Sequence, residues 1–270
     1  VSQPLEFTIL GCGSSGGVPR ADGAWGACDP NDARNRRSRC SLLVRRRSSE
    51  GPEHETTAII DTSPDFRLQA AAAGVRRIDA VLFTHDHADQ THGIDDLRAF
   101  ALRQLQRLVC HMDAATHHTL MRRFGYIFRG EGGYPAICED QLIPDHGVAW
   151  SVDGPSGAIP VTTFDQDHGG VRSVGYRFGP VAYSSDVVDL PPEAFEALAG
   201  VEVWILDALR YTPHPTHAHL ERALEWIARV RPRRAILTNM HIDLDFETVR
   251  REIPSGVEPA FDGLRFEITG

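Results

Sequence analysis

The chain has 270 residues, 41% hydrophobic and 24% charged, with a formal net charge of −9. That profile belongs to a soluble globular protein able to bury a large core. No apolar run approaches the ~20 residues a bilayer-spanning helix needs, and the acidic balance disfavours a general nucleic-acid binder, whose phosphate affinity comes from basic residues. The five cysteines, Cys12, Cys28, Cys40, Cys110 and Cys138, are scattered without a Cys-x-x-Cys pair. They argue against a disulfide framework or a cysteine-built zinc site and for a reducing compartment. The opening Val1–Pro4 carries no signal-peptide pattern, so the expected location is cytoplasmic.

In chain order, short apolar runs of strand length recur: Ala58–Ile60, Ala80–Phe83, Leu108–Val109, Pro160–Thr163, Val174–Tyr176, Val201–Leu206 and Ala235–Leu237. Polar or turn residues bound each. Stretches of helical period lie between them. The segment from Pro64 to Ala73 is alanine-rich, Asp113 caps a helix to Phe124, and Thr216 to Val230 places Leu220, Leu224, Ile227 and Val230 on one face. The loosest stretch, Gly147–Pro160, reads as a loop. Seven arginines between Arg34 and Arg47 read either as a solvated hairpin face or as a phosphate-contacting patch. Strands and helices interleave with no dividing linker, which predicts one α/β domain over 1–270.

The chemistry concentrates in Thr84-His85-Asp86-His87-Ala88-Asp89-Gln90-Thr91-His92-Gly93, directly after the apolar run ending at Phe83. Alternate residues of an extended segment share a face, so His85, His87 and Asp89 turn to one side. Two imidazoles and a carboxylate at the end of a buried strand suit a divalent transition metal. Gly93 is expected to permit the turn that follows. His92 reads as a helix-start or supporting histidine rather than a ligand.

This segment resembles the His-x-His-x-Asp-His signature of the metallo-β-lactamase superfamily. Ile60-Asp61-Thr62 resembles the strand-end aspartate that orients the metal loop, Gln166-Asp167-His168-Gly169 the third histidine, and Tyr183-Ser184-Ser185-Asp186 the aspartate that bridges two metals. Within the superfamily, the chain is most similar to the phosphonate-pathway phosphoribosyl cyclic phosphodiesterases. Gly11–Pro19 looks like their opening glycine loop, and His217, in Pro215-Thr216-His217-Ala218-His219-Leu220, matches their catalytic histidine. The resemblance implies a four-layer αββα sandwich and a metal set of His85, His87, Asp89, His168 and Asp186. It implies His217 as the catalytic residue, Asp61 supporting the ligands, and His217 with His219 contacting substrate.

Two positions depart from the pattern. Gln90 and Asn239 stand where the family has histidines of the second metal site. Amide oxygens are harder, weaker ligands than imidazole, so that site should favour Mn²⁺ or Mg²⁺ over Zn²⁺, or stand partly empty. His241 would share a face with Asn239 if its strand continues, restoring one nitrogen. Only Cys28 remains of the family's cysteine cluster, so no structural zinc is expected.

The expected cofactor is one or two divalent ions, Zn or Mn, and the expected activity is hydrolysis of a small, possibly cyclic, phosphodiester. The expected partner is a small phosphorylated substrate, with no membrane role, nucleic acid disfavoured and a homodimer suggested by the resembling enzymes. Two other readings stay open: a thioesterase or lactonase resembling glyoxalase II, since fold does not fix substrate, and a phosphate-ligand-binding protein whose second site has decayed. A tRNA-processing nuclease resembling ribonuclease Z fits the acidic charge poorly.

Overall fold

The structure is a computed structural model that describes residues 4–268. Among them the strands are β1 (Leu5–Gly11), β2 (Ser41–Arg46), β3 (Thr56–Ile60), β4 (Ala80–Leu82), β5 (Leu108–Met112), β6 (Cys138–Leu142), β7 (Trp150–Val152), β8 (Ile159–Asp167), β9 (Arg172–Phe178), β10 (Val181–Ser184), β11 (Val203–Asp207), β12 (Arg234–Thr238), β13 (Val257–Pro259) and β14 (Arg265–Ile268). The helices are α1 (Phe66–Ala72), α2 (Ala88–Thr91), α3 (Arg98–Gln104), α4 (Ala114–Arg123), α5 (Gly125–Arg129), α6 (Pro192–Ala197), α7 (Leu220–Val230) and α8 (Phe246–Glu252).

Period-two alternation sorts the side chains into layers. Phe7, Leu42, Val44, Ala58, Ile60 and Leu82 face one apolar cluster, while their neighbours Leu43, Ile59 and Val81 face another. Successive residues of a strand point to opposite faces, so strands apolar throughout are covered on both sides. Two seven-stranded sheets result, ordered β14-β1-β2-β3-β4-β5-β6 and β13-β12-β11-β10-β9-β8-β7. Phe7 meets Phe178 edge-on at 6.0 Å between them. Phe66 of α1, Ala101 of α3 and Leu120 of α4 cover the outer face of the first sheet. Ala194 of α6, Ala223 and Trp226 of α7 and Val249 of α8 cover the second. The architecture is the αββα sandwich. Among the described residues no helix is long and apolar enough to cross a membrane.

The predicted strands are all present, and Asp113 caps α4 by accepting from Thr116 N at 2.8 Å. Three local readings change. Gly147–Pro160 contains β7, antiparallel to β8. The helix expected from Thr216 starts only at Leu220, because the chain before it is pinned: Ala218 N donates to Val187 O at 2.6 Å and Leu209 N to Ala218 O at 2.9 Å. Most of the arginine-rich stretch is engaged within the fold, although Arg36 stays exposed. Arg45 is buried between Glu6 and Glu55, Arg39 pairs with Asp65, Arg34 with Asp32 and Glu247, and Arg37 is buried with its guanidinium on Leu244 O and Asn35 Oδ1.

Candidate metal centre

Parallel strands deliver the site residues. β3, β4 and β5 run parallel in one sheet, and β10, β11 and β12 in the other. The chain turns sharply just past three of these strands: Asp61 after β3, Asp186 after β10 and Asn239 after β12 have φ of 61°, 56° and 61°. Side chains other than glycine rarely adopt this left-handed conformation, and Asp and Asn tolerate it best. The two sheet ends are tied together by Tyr176, whose hydroxyl donates to Phe83 O at 2.7 Å, and by Val174 N on Thr84 O at 2.9 Å.

His85, His87 and His168 converge there, with ring centroids 4.5, 4.9 and 5.0 Å apart and one nitrogen from each within 4.8 Å of the others. Their hydrogen bonds decide which nitrogens face inward. His168 Nδ1 lies 2.7 Å from Thr216 O, which only accepts, so the proton sits on Nδ1 and the Nε2 lone pair faces the cluster. The Thr84 hydroxyl donates to Asp61 Oδ2 at 2.8 Å, leaving its oxygen to accept from His85 Nδ1 at 3.0 Å. His85 Nε2 is then buried with no hydrogen-bond partner. Burial, reinforced by the two neighbouring imidazoles, pushes its pKa down to about 3. A buried, unprotonated, unpartnered nitrogen beside two more imidazoles fits a divalent cation. Asp61, fully buried, accepts from both Thr84 N and Oγ1 at 2.8 Å and reaches His85 through the Thr84 hydroxyl, an outer partner of the kind that orients a metal-binding histidine.

His217 stands against this cluster, 4.7 Å from the His168 ring. Its Nδ1 is 2.8 Å from Asp207 Oδ2 and 4.0 Å from Asp186 Oδ1. Burial disfavours the imidazolium, but Asp207 first and then Asp186 and Asp89 outweigh it, holding the His217 pKa up to about 9. Asp207 closes β11, fully buried, and also accepts from Val187 N at 3.1 Å. Sequence reading missed it. The signal was an acid ending the apolar run Val201–Leu206, ten residues before His217. Asp186 is buried, which works against its charge, yet His85, His217, His168 and the Ser185 hydroxyl hold it down to about 2. Its oxygen groups with His168 and His217 in a second cluster of potential ligands.

The second metal position is built differently. Gln90 is fully buried, and its Nε2 donates to Asp89 Oδ2 at 3.3 Å and to Asp186 Oδ2 at 3.2 Å. Two carboxylates accept only, so the nitrogen end must face them, while Oε1 is buried without a partner. The expectation of amide oxygens as ligands is therefore corrected: Gln90 puts a donor where the superfamily has a cation. Asn239 turns its amide to His217 Nδ1, 3.2 Å away. His241 is not brought into either cluster. β12 ends at Thr238, and the ring lies between Arg20, on Nε2, and Asp243 Oδ1, 2.8 Å from Nδ1. A guanidinium only donates, so the nitrogen that would ligate is already accepting. Gln90, Asn239 and His241 thus offer a second cation no imidazole nitrogen.

His219 precedes α7 beside Glu221, with which it makes a 4.0 Å contact, and is not gathered with the ligand candidates. His92 is an exposed residue ending α2, its ring edge-on to Phe124 at 5.5 Å. It begins no helix and supports no ligand. A cavity of about 610 Å³ opens beside the glycine loop, lined among others by Gly17, Arg36, Arg39, Asp65 and Asp262; none of the ligand candidates lines it.

Comparison with known proteins agrees with this geometry. Residues 56–242 match the beta-lactamase superfamily domain. The chain is similar to a solved diphosphatase of the PhnP family, at 31% identity over 98% of each chain with a TM-score of 0.85. Zn²⁺-bound PqqB of Methylobacterium extorquens shares the fold at 19% identity, covering 97% of this chain and 100% of that one with a TM-score of 0.73. Human tRNase Z, short form, does so at 14% identity, 98% and 99% coverage and a TM-score of 0.62. A curated relative, an octanoyltransferase of Porphyromonas gingivalis, is 29% identical over 267 residues, covering 96% of this chain. The chain spans about half, 51%, of that relative's length. With the αββα sandwich, the three gathered imidazoles and these likenesses together, the chain belongs to the metallo-β-lactamase superfamily and, within it, to the PhnP family.

Proposed function

We propose that the chain hydrolyses a phosphodiester in a small phosphorylated molecule, using one divalent ion held by His85, His87 and His168 with Asp186 beside them. The observation that carries this reading is the His217–Asp207 pair against the imidazole cluster. Phosphodiester hydrolysis expels an alkoxide, which needs a proton, and His217 is held charged to supply one. A bound cation would acidify water and neutralise charge developing on the phosphoryl oxygens. Asp207 holds His217 Nδ1, which leaves Nε2 free to protonate the leaving oxygen. Thr84 and Asp61 fix the His85 ring, and Thr216 O fixes that of His168.

The test is turnover of bis(p-nitrophenyl) phosphate after reconstitution with Mn²⁺ and with Zn²⁺. His217→Ala should retain metal and lose about 10²–10⁴-fold in kcat, the usual worth of general acid catalysis. Loss of metal in parallel with activity would refute the assigned role. A second reading, thioester or lactone hydrolysis, is favoured by the acyl-transfer activity in the name of the curated relative. Turnover of an octanoyl thioester but no phosphodiester would select it. Metal and phosphate binding without turnover of either would select a binding protein.

A further inference from the structure

Strand β1 sends successive side chains to opposite faces of its sheet. Phe7 and Ile9 enter the core between the two sheets, so Thr8 and Leu10 point to the outer face. The cavity of about 610 Å³ lies on that face, between α1, the glycine loop and the segment before β14. Leu10, Leu68 and Ala72 give it an apolar wall, and Leu68 is 63% exposed. Its volume falls in the range of about 300–1,000 Å³ found for small-molecule sites, and no metal-ligand candidate lines it.

The lining also carries positive charge that the fold leaves unpaired. Arg36 and Arg37 both line the cavity, and among the described residues neither forms an ion pair. Arg36 is exposed, its guanidinium over the Trp25 ring at 5.1 Å. Arg37 is buried and donates to Leu244 O at 2.7 Å and Asn35 Oδ1 at 3.1 Å, while its Nε–H has no partner. The hydroxyl of Thr8, another lining residue, is buried without a partner as well. The acids of the same lining are engaged elsewhere: Asp65 with Arg39 at 2.8 Å, and Asp262 with the backbone and side-chain donors of Cys12 and Ser38. Buried donors and charges are normally satisfied, and what these lack is an acceptor. In a chain of net charge −9, an unpaired cationic wall selects an anion.

We propose that this cavity is a second ligand site, separate from the metal centre, and that it binds an aliphatic monocarboxylate. The head pairs with Arg36, whose planar fork of donors matches a carboxylate in a bidentate way. The chain lies along Leu10, Leu68 and Ala72, where each methylene removed from water adds to affinity. A sugar phosphate would instead set its hydroxyls against that aliphatic wall without partners. The site is independent of the phosphodiesterase reading, since no residue of the metal cluster takes part.

The probe is decanoate, titrated by calorimetry below its micelle-forming concentration into the metal-loaded chain and into the chain stripped by chelator. Saturable binding of equal strength is expected in both forms. Acetate, which offers the head alone, should bind at least about a hundredfold more weakly. Arg36→Ala should weaken decanoate binding about tenfold to a hundredfold, the worth of hydrogen bonds to a charged group, and Arg36→Lys should recover part of the loss. Leu68→Asp, which sets a like charge in the wall, should weaken it about tenfold or more. Leu102→Asp, at an exposed leucine outside the cavity, should leave it within about twofold. Arg36, Leu68 and Leu102 are all exposed, so the variants should fold, which thermal melting checks. The site is overturned by the absence of saturable binding, by unchanged affinity in Arg36→Ala and Leu68→Asp, by an equal loss in Leu102→Asp, or by binding that vanishes with the metal. Displacement of decanoate by an equal concentration of inorganic phosphate would overturn the choice of a carboxylate.

Discussion

At the scale of single residues, the site depends on which atom of each side chain is already committed. His85 and His168 each give one nitrogen to Thr84 or Thr216, and the other is left for a metal. His217 gives Nδ1 to Asp207, and charge follows geometry: in the metal-free chain its pKa of about 9 should be read directly by NMR titration. Asp207→Asn removes the largest opposing charge while burial remains, so the His217 pKa should fall from about 9; an unchanged titration would show that Asp207 does not set it. Gln90 commits its amide nitrogen to Asp89 and Asp186. The expected stoichiometry is therefore one metal per chain, and Gln90→His, by replacing a donor with a lone pair, should raise it toward two by elemental analysis. Two metals in the wild type would contradict the role given to Gln90.

At the scale of elements, the strand ends aim the ligands and the turns after them hold that aim. Gly93 illustrates the constraint. The sequence suggested conformational freedom, but its φ is −87°, open to any residue. The requirement is close approach instead: a Cβ there would lie 2.0 Å from Ser63 O and 2.9 Å from Phe66 Cβ. Gly93→Ala should push the metal loop off the Thr62–Phe66 turn. A loss of about 1–3 kcal/mol in denaturant unfolding is expected, the range for overpacking, together with weaker metal binding. Retained stability would mean that the turn yields. The segment Thr216–His219 makes the complementary point. It is the expected start of the helix that carries Leu220, Leu224, Ile227 and Val230, yet backbone bonds of Ala218 to Val187 and Leu209 keep it outside α7, and this keeps His217 in the site.

At the scale of the whole molecule, remote parts of the chain are locked by partly buried polar groups. Asp262 accepts from Cys12 N at 3.1 Å, Cys12 Sγ at 3.4 Å, Ser38 N at 2.7 Å and Ser38 Oγ at 2.6 Å, joining the glycine loop to the segment before β14. Burial pushes its pKa up to about 6, against those four bonds. The folded chain then holds a proton between about pH 4 and 6 that the unfolded chain has released. Asp262 therefore contributes most to stability below its unfolded pKa, and that contribution is lost as pH rises through about 6. Asp262→Asn should flatten the stability-versus-pH curve between pH 4 and 6 by about 1–3 kcal/mol, measured against wild type by denaturant unfolding. An identical slope in both proteins would refute the raised pKa.

Periodicity made strands β3, β4, β5, β8, β9, β11 and β12 legible as parts of one α/β domain, and donor type made the run His85, His87, Asp89 legible, because both are local properties; the sandwich itself was legible only through resemblance. The later partners His168, Asp186 and His217 were legible only through resemblance, since no spacing along the chain relates them. Tertiary structure alone decided the rest. It brought Asp207 under His217 from the neighbouring strand end. It turned the Gln90 amide nitrogen toward two carboxylates. It ended β12 before His241, giving that imidazole to Arg20, and it drew Arg34, Arg37, Arg39, Arg45 and Arg47 into ion pairs and buried contacts. Each of these is a matter of which atoms meet across long sequence separations, and residue type by itself carries no information about who the partner is.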